Sequence, residues 1–248
     1  MKRLKIALGV FLVSVFFTFS ATAQGIYQKG TIQISKKKSI DAYVSIDYTF
    51  PQRFQNSLTY ITPDSYAKYQ ETGKLKGKKK IDLKLKDFIG FTLDNGQTFE
   101  VVKYVDLSKK GMGMLPQRKC LEQIADGKIK AYKLYSRTTG KMPRELVNVV
   151  MDSRMKGDAM LIDYIQNNFQ ILLLKDTKNP KNINHINLLN YIGDNEIVQT
   201  NYSNNEYGFR DQFTERQKYG VYVNKKYEAA LLKMLSHYNG ESDYTTGN

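Results

Sequence analysis

Four carboxylates in the middle of the chain, Asp87, Glu100, Glu122 and Asp126, are the residues whose type best suits acid–base chemistry. Cleavage of a glycosidic bond needs two such groups about 5 to 9.5 Å apart, one protonating the leaving oxygen and one acting as base or nucleophile. Each of the four falls on an expected strand or turn. Whether any two converge is therefore a matter of tertiary structure, and solvated carboxylates on the polar face of a strand are the commoner case.

Other chemical routes are thinner. His185 and His237 belong to no HExxH motif and no His–Cys cluster, whereas zinc needs three or four converging ligands. Cys120, the single cysteine, sits beside Leu121 and Ile124 without a neighbouring histidine. That setting predicts a buried structural thiol, and a lone cysteine leaves no internal disulfide. No GxSxG elbow is present. The "GMGMLP" stretch at 111–116 lacks the Gly-Lys-Ser/Thr ending of a phosphate loop and the third glycine of a dinucleotide fingerprint. No catalytic residue, metal ligand or cofactor site is expected.

Charge is the stronger signal. Lys74, Lys76, Lys78, Lys79 and Lys80 crowd the stretch "GKLKGKKK" and form a candidate patch for an anionic ligand. The interleaved residues are Leu and Gly, not the aromatics that stack on bases, so nucleic acid is not an expected partner. A solvated turn between strands is the plainer reading of the same run. The chain carries a formal charge of +14, which falls to +11 without Lys2, Arg3 and Lys5. Such a surface favours anionic neighbours, an envelope glycan among them.

Those three charges open a tripartite leader. "MKRLK" precedes the apolar run "IALGVFLVSVFF", and Ala21-Thr22-Ala23 fits the small-x-small rule, so residues 1–23 read as a signal peptide cut before Gln24. The apolar run is shorter than the ~20 residues a membrane span needs, and no later segment is long enough either. The expected location is the periplasm, the outer membrane or the exterior.

The elements that must position these residues are mostly strands. Ile40, Ala42, Val44 and Ile46 alternate with polar neighbours, "KGTIQIS" alternates before them, and Lys36–Lys38 provide the turn. "LTYITP" predicts another strand stopped at Pro63, and Ile81, Leu83 and Leu85 a lysine-faced one. Asn95-Gly96 and Asp126-Gly127 each signal a hairpin. Further strands are expected at "ELVNVVM", "MLIDYIQN" and "FQILLLKD". Leu188, Leu189 and Ile192 then share a helical face, and a second short helix is expected from Asp194 to about Tyr202. Tyr227, Ala230, Leu231, Met234, Leu235 and Tyr238 make one apolar stripe at helical spacing, with Asn224 as N-cap and Asn239-Gly240 as stop. The fold class is α+β, an antiparallel β-sandwich or partly open β-barrel over 24–175, with a helical region over 176–240 packed on it and a disordered tail at 241–248.

In "DFIGF" (87–91) and in "CLEQIADGKIKAY" (120–132) the chain resembles exported β-rich proteins of Bacteroidetes-type bacteria, which share a "dI-gF" turn and a "FLE-L--GK--LY" hairpin. "KGTIQISKKKSIDAYVSIDY", "LLNYIGDNEIV" and "LLKMLSHYN" resemble that group's opening and its helical end. Cys120 stands where the group usually has an aromatic, and the insert at Lys74–Lys80 is longer. The resemblance implies the architecture and an exported location, and supplies no catalytic residues. The function expected from the sequence is a binding or structural module of the envelope, for a protein or an anionic glycan. The competing class is a carboxylate-dependent hydrolase of envelope glycans.

Overall fold

Alternating apolar residues build the first hairpin, in which β1 (Tyr27–Ser35) pairs antiparallel with β2 (Lys38–Ser45) across the Lys36–Lys37 turn. The computed structural model describes residues 27–75, 79–106, 115–136, 159–176, 179–209, 223 and 225–240. Along these follow α1 (Gln52–Asn56), β3 (Ser57–Ile61), α2 (Pro63–Thr72), β4 (Ile81–Lys84), β5 (Gly90–Leu93), β6 (Thr98–Tyr104), β7 (Gln117–Ala125) and β8 (Lys130–Leu134). Then come α3 (Ala159–Asn167), β9 (Gln170–Leu174), β10 (Lys181–Asn182), a 3-10 turn (Ile183–His185), α4 (Leu188–Tyr191), α5 (Glu196–Ser203) and α6 (Lys225–Asn239).

Among the described residues all ten strands belong to one antiparallel sheet of order β10-β9-β8-β7-β6-β5-β1-β2-β3-β4, open at β10 and β4. The chain lays down two meanders that share β1. The first runs outward through β4, and the second restarts on the other side of β1 with β5. The fold is thus α+β, with one large open sheet and helices packed against it.

The main core lies on one face, where Ile32, Val44, Phe91, Phe99, Cys120, Ala131 and Leu173 meet Leu161 and Ile165 of α3 and the stripe of α6. That stripe is the expected one, with Tyr227, Ala230, Leu231, Met234, Leu235 and Tyr238 all buried, and Gly240 at φ 74° ends the helix. Cys120 is fully buried there, which pushes its thiol up out of the reactive range. On the opposite face Val102, Tyr104, Leu121, Tyr132 and Leu172 form a smaller cluster.

Several expectations need correction. "MLIDYIQN" is helix α3, not a strand, because Leu161 and Ile165 lie four residues apart and share one buried side. Pro63 does not merely stop a strand. It opens α2, with the Thr62 hydroxyl accepting the Ser65 N–H at 3.3 Å, Asp64 in the first turn and Gly73 at φ 63° as the stop. Ile81 is exposed, and Leu83 and Leu85 are only half-buried. A short strand, β10, lies within the region expected to be helical. The "ELVNVVM" strand, Asn224, the signal peptide, residues 111–114 of the "GMGMLP" connection and the 241–248 tail lie outside the described residues.

The turn around Asp87 is architectural. Its carboxylate accepts the Lys84 N–H at 3.1 Å while its own N–H donates to the Lys84 carbonyl at 2.8 Å, closing the end of edge strand β4. Phe88 and Phe91 are buried as expected, but Ile89 is 45 % exposed. The next hairpin is not the two-residue type that Asn95-Gly96 suggests, since only Gly96 has positive φ, at 89°. Gly96 N–H donates to the Leu93 carbonyl at 2.9 Å and Leu93 N–H to the Gln97 carbonyl at 2.8 Å, which is a three-residue loop with the glycine in the bulge position. Replacing Gly96 with Val should cost about 1–2 kcal/mol or more in denaturant unfolding, because φ is strained although the space is open. Asp87→Asn, which keeps an acceptor oxygen, should be nearly neutral in the same measurement.

Candidate functional site

Strand alternation drives one lysine into the core. Ile129, Ala131, Lys133 and Tyr135 occupy the same phase of β8 and its flanks, so Lys133 points to the main core and is only 8 % exposed. An unpaired ammonium there would be very costly. Its Nζ lies 2.6 Å from Glu228 Oε1 on α6 and 4.0 Å from Glu122 Oε1 on β7, over the Phe169 ring at 4.7 Å.

Around this centre the polar groups close on one another. The Tyr135 hydroxyl donates to Glu122 Oε2, and Gln97 Nε2 donates to Glu122 Oε1 at 3.4 Å and to the Tyr48 hydroxyl at 3.3 Å. Gln55 of α1 brackets the Tyr135 backbone, donating to its carbonyl at 2.9 Å and accepting its N–H at 2.8 Å. Burial and the nearby Glu122 charge push both Tyr48 and Tyr135 up, so the phenols remain protonated donors. Glu122 thus faces three donors and Glu228 a full cation. The cluster has the residue types of a hydrolytic site, yet its donors and acceptors are spent on each other.

The other carboxylates go elsewhere. Glu100 lies on the opposite face, where its Oε2 accepts from the Tyr132 hydroxyl at 2.7 Å and stands 3.4 Å from Lys130. Asp126 reaches the same Lys130 at 3.3 Å, and Asp87 sits at its turn. Glu100 and Asp126 therefore meet across a shared lysine, while Glu122 is separated from them by the sheet.

A second hub fixes the helical end to the sheet. Asp194 receives Lys128 at 2.7 Å, Lys175 at 2.6 Å and the Tyr238 hydroxyl at 2.8 Å. Asn239 caps the β7–β8 hairpin, donating to the Asp126 carbonyl at 2.7 Å and accepting the Ile129 N–H at 3.0 Å. A side chain at Gly127 would come within 2.7 Å of Asn239, so this turn needs glycine for packing as well as for its φ of 120°. His237 pairs with the Tyr207 hydroxyl at 2.6 Å, and His185 is exposed.

Of the lysine patch, Lys74 and Lys80 are exposed and Lys79 is half-buried, while Lys76 and Lys78 lie outside the described residues. Among the described residues no side-chain partner holds Lys74, Lys79 or Lys80. Among the described residues there is also no group of three or more His, Cys, Asp or Glu able to hold a metal, and no helix long and apolar enough to cross a membrane. Comparison with protein-family models, with curated proteins and with solved structures gives no match to this chain.

Two measurements check the site. Lys133→Met should lower unfolding free energy by about 3–5 kcal/mol, because it leaves the buried Glu122 and the largely covered Glu228 without their cation. Adding Glu228→Gln should recover part of that loss in a double-mutant cycle. Hydrogen bonds from Lys128 and Lys175 hold the Asp194 carboxyl far below the usual carboxylate range, against a smaller desolvation effect. A group depressed in the folded state contributes stability that is full above its unfolded value of about 4 and is lost as pH falls toward the folded value. Asp194→Asn should therefore melt below the parent at neutral pH, with the gap narrowing under about pH 4.

Proposed function

We propose that the protein is an exported component of the cell envelope, periplasmic or associated with the outer membrane, that acts by binding an anionic glycan. The observation carrying this reading is the contrast between interior and surface. The convergent carboxylates Glu122 and Glu228 are engaged by Lys133, Tyr135 and Gln97, whereas Lys74, Lys79 and Lys80 have no side-chain partner among the described residues. Free cations on a basic chain raise the local concentration of a polyanion and lend it salt-sensitive contacts. A hydrolase would instead need a carboxyl free to give or take a proton at substrate. A protein ligand would be the alternative occupant of the same basic surface.

The partly open barrel belongs to the same proposal. Leu85, just after edge strand β4, accepts a hydrogen bond from Arg118 of β7 at 3.5 Å, although five strands separate β4 and β7 in the sheet order. Lys119 of β7 likewise reaches Asn56, just before β3, at 2.5 Å. Both contacts support a sheet curled toward closure.

Two experiments address the reading. Protein recovered from a periplasmic fraction should begin at Gln24 by N-terminal sequencing, and recovery only from the cytoplasm would contradict export. In affinity electrophoresis through polygalacturonate, the chain should be retarded in a salt-sensitive manner. Changing Lys74, Lys79 and Lys80 together to Gln should weaken that interaction about tenfold, since three charge contacts near the surface contribute roughly 0.5 kcal/mol each. Undiminished retardation would remove the lysines from the binding surface.

A further inference from the structure

Helix α2 is attached to the sheet in an unusual way. Its ten residues include none that is buried, whereas a helix packed on a sheet ordinarily buries an aliphatic stripe. Contact is made instead by tyrosines. Tyr66 stacks flat on Tyr43 of β2 with ring centroids 3.6 Å apart, and Tyr69 meets Tyr27 of β1 edge-on at 5.9 Å. All four tyrosines are half-buried, so the cluster keeps part of its surface in contact with solvent, although Tyr43 and Tyr66 cover one ring face of each other.

The surroundings of this cluster are polar in a particular pattern. Tyr27, Lys29, Thr31, Asp41 and Tyr43 lie on the face of the sheet turned away from the main core, as their alternation with Gly30, Ile32 and Ala42 requires. Lys29 is in register with Tyr43 and is steadied by Asp94 at 3.2 Å. Thr31 donates to Asp41 at 3.0 Å, and Thr59 to Asp82 at 2.5 Å. Lys74 follows the Gly73 stop of α2, and Lys80 leads into edge strand β4, which pairs with β3. Half-buried rings and carboxylate and hydroxyl acceptors therefore share this face, with the exposed Lys74 and Lys80 at the ends of α2 and β4.

Resting on the anionic-glycan reading, we propose that the Tyr27–Tyr43–Tyr66–Tyr69 surface is a sugar-stacking subsite for an acidic polysaccharide. The apolar C–H face of a pyranose ring lies on a tyrosine, its hydroxyls donate to Asp41 and Asp82, and its carboxylate meets Lys74 or Lys80. The mixture of charges selects this occupant. Asp41 and Asp82 would repel the closely spaced phosphates of a nucleic acid, yet they are good acceptors for sugar hydroxyls. A polyuronate places one charge per ring and leaves hydroxyls between.

The chain has no tryptophan and 18 tyrosines, so intrinsic tyrosine fluorescence is a direct probe. Hexagalacturonate is titrated into the full chain, with neutral cellohexaose as comparator. Quenching by hexagalacturonate alone is expected. Tyr69→Phe, which keeps the ring, should bind within about twofold of the parent, and Tyr66→Leu, which keeps bulk but loses the stacking face, should bind about tenfold more weakly. Circular dichroism and melting temperature show that α2 is retained in each variant. If Tyr66→Leu and Tyr69→Leu bind like the parent while the lysine variants weaken, the subsite is overturned and the anionic-ligand reading stands. If the parent binds neither hexagalacturonate nor polygalacturonate, both are overturned.

Discussion

Lys133 is the constraint around which the rest is arranged. A lysine placed in the apolar phase of a central strand must keep its ammonium neutralised, and two carboxylates from different elements do so. Glu122 comes from the adjoining strand β7 and Glu228 from the last helix, so the ion pair sets where α6 can dock. The same centre draws in Tyr135, which Gln55 of α1 grips through its backbone, and Tyr48, which Gln97 of the β5–β6 turn reaches. Buried ion pairs add little net stability against an apolar equivalent, but they penalise every arrangement that separates the partners. Here that penalty falls on any misdocking of α6 or α1.

This gives the chemically rich interior an architectural role. Glutamates, tyrosines and a lysine converge, yet each donor faces an acceptor from another element. The hub at Asp194 repeats the device at the surface, tying the β7–β8 hairpin, the end of β9 and α6 together through one carboxylate. On the face opposite the main core, helix α2 brings tyrosines over the sheet, and this is the surface proposed for recognition.

Much of this was legible in the sequence where periodicity was clean. The α6 stripe emerged residue for residue, and the β1–β2 alternation in its main phase, although Lys38 belongs to β2 rather than the turn, Ile46 falls just past the strand and Ile40 is only half-buried. Helix α3 did not, since a short apolar run suits either period. Helix α2 carried its own start and stop signals in Thr62, Pro63, Asp64 and Gly73, but its amphipathic contrast is too weak to announce a buried side. The buried cluster was half visible. Lys133 falls in phase with Ile129, Ala131 and Tyr135, and Glu228 lies three residues before Leu231 and seven before Leu235, so both sit on apolar faces. That they answer one another across 95 residues is a fact of topology that no local spacing contains. The tyrosine surface was hidden for the same reason, being assembled from β1, β2 and α2.

Hydrogen–deuterium exchange of the whole chain with and without polygalacturonate tests most directly whether function resides on the outer face. The expected result is slowed exchange confined to β1, β2 and α2, with the β8 and α6 amides around Lys133 and Glu228 unchanged. Protection concentrated at β7, β8 and α6, with α2 unaffected, would contradict it and return the buried carboxylates to the centre of the protein's function.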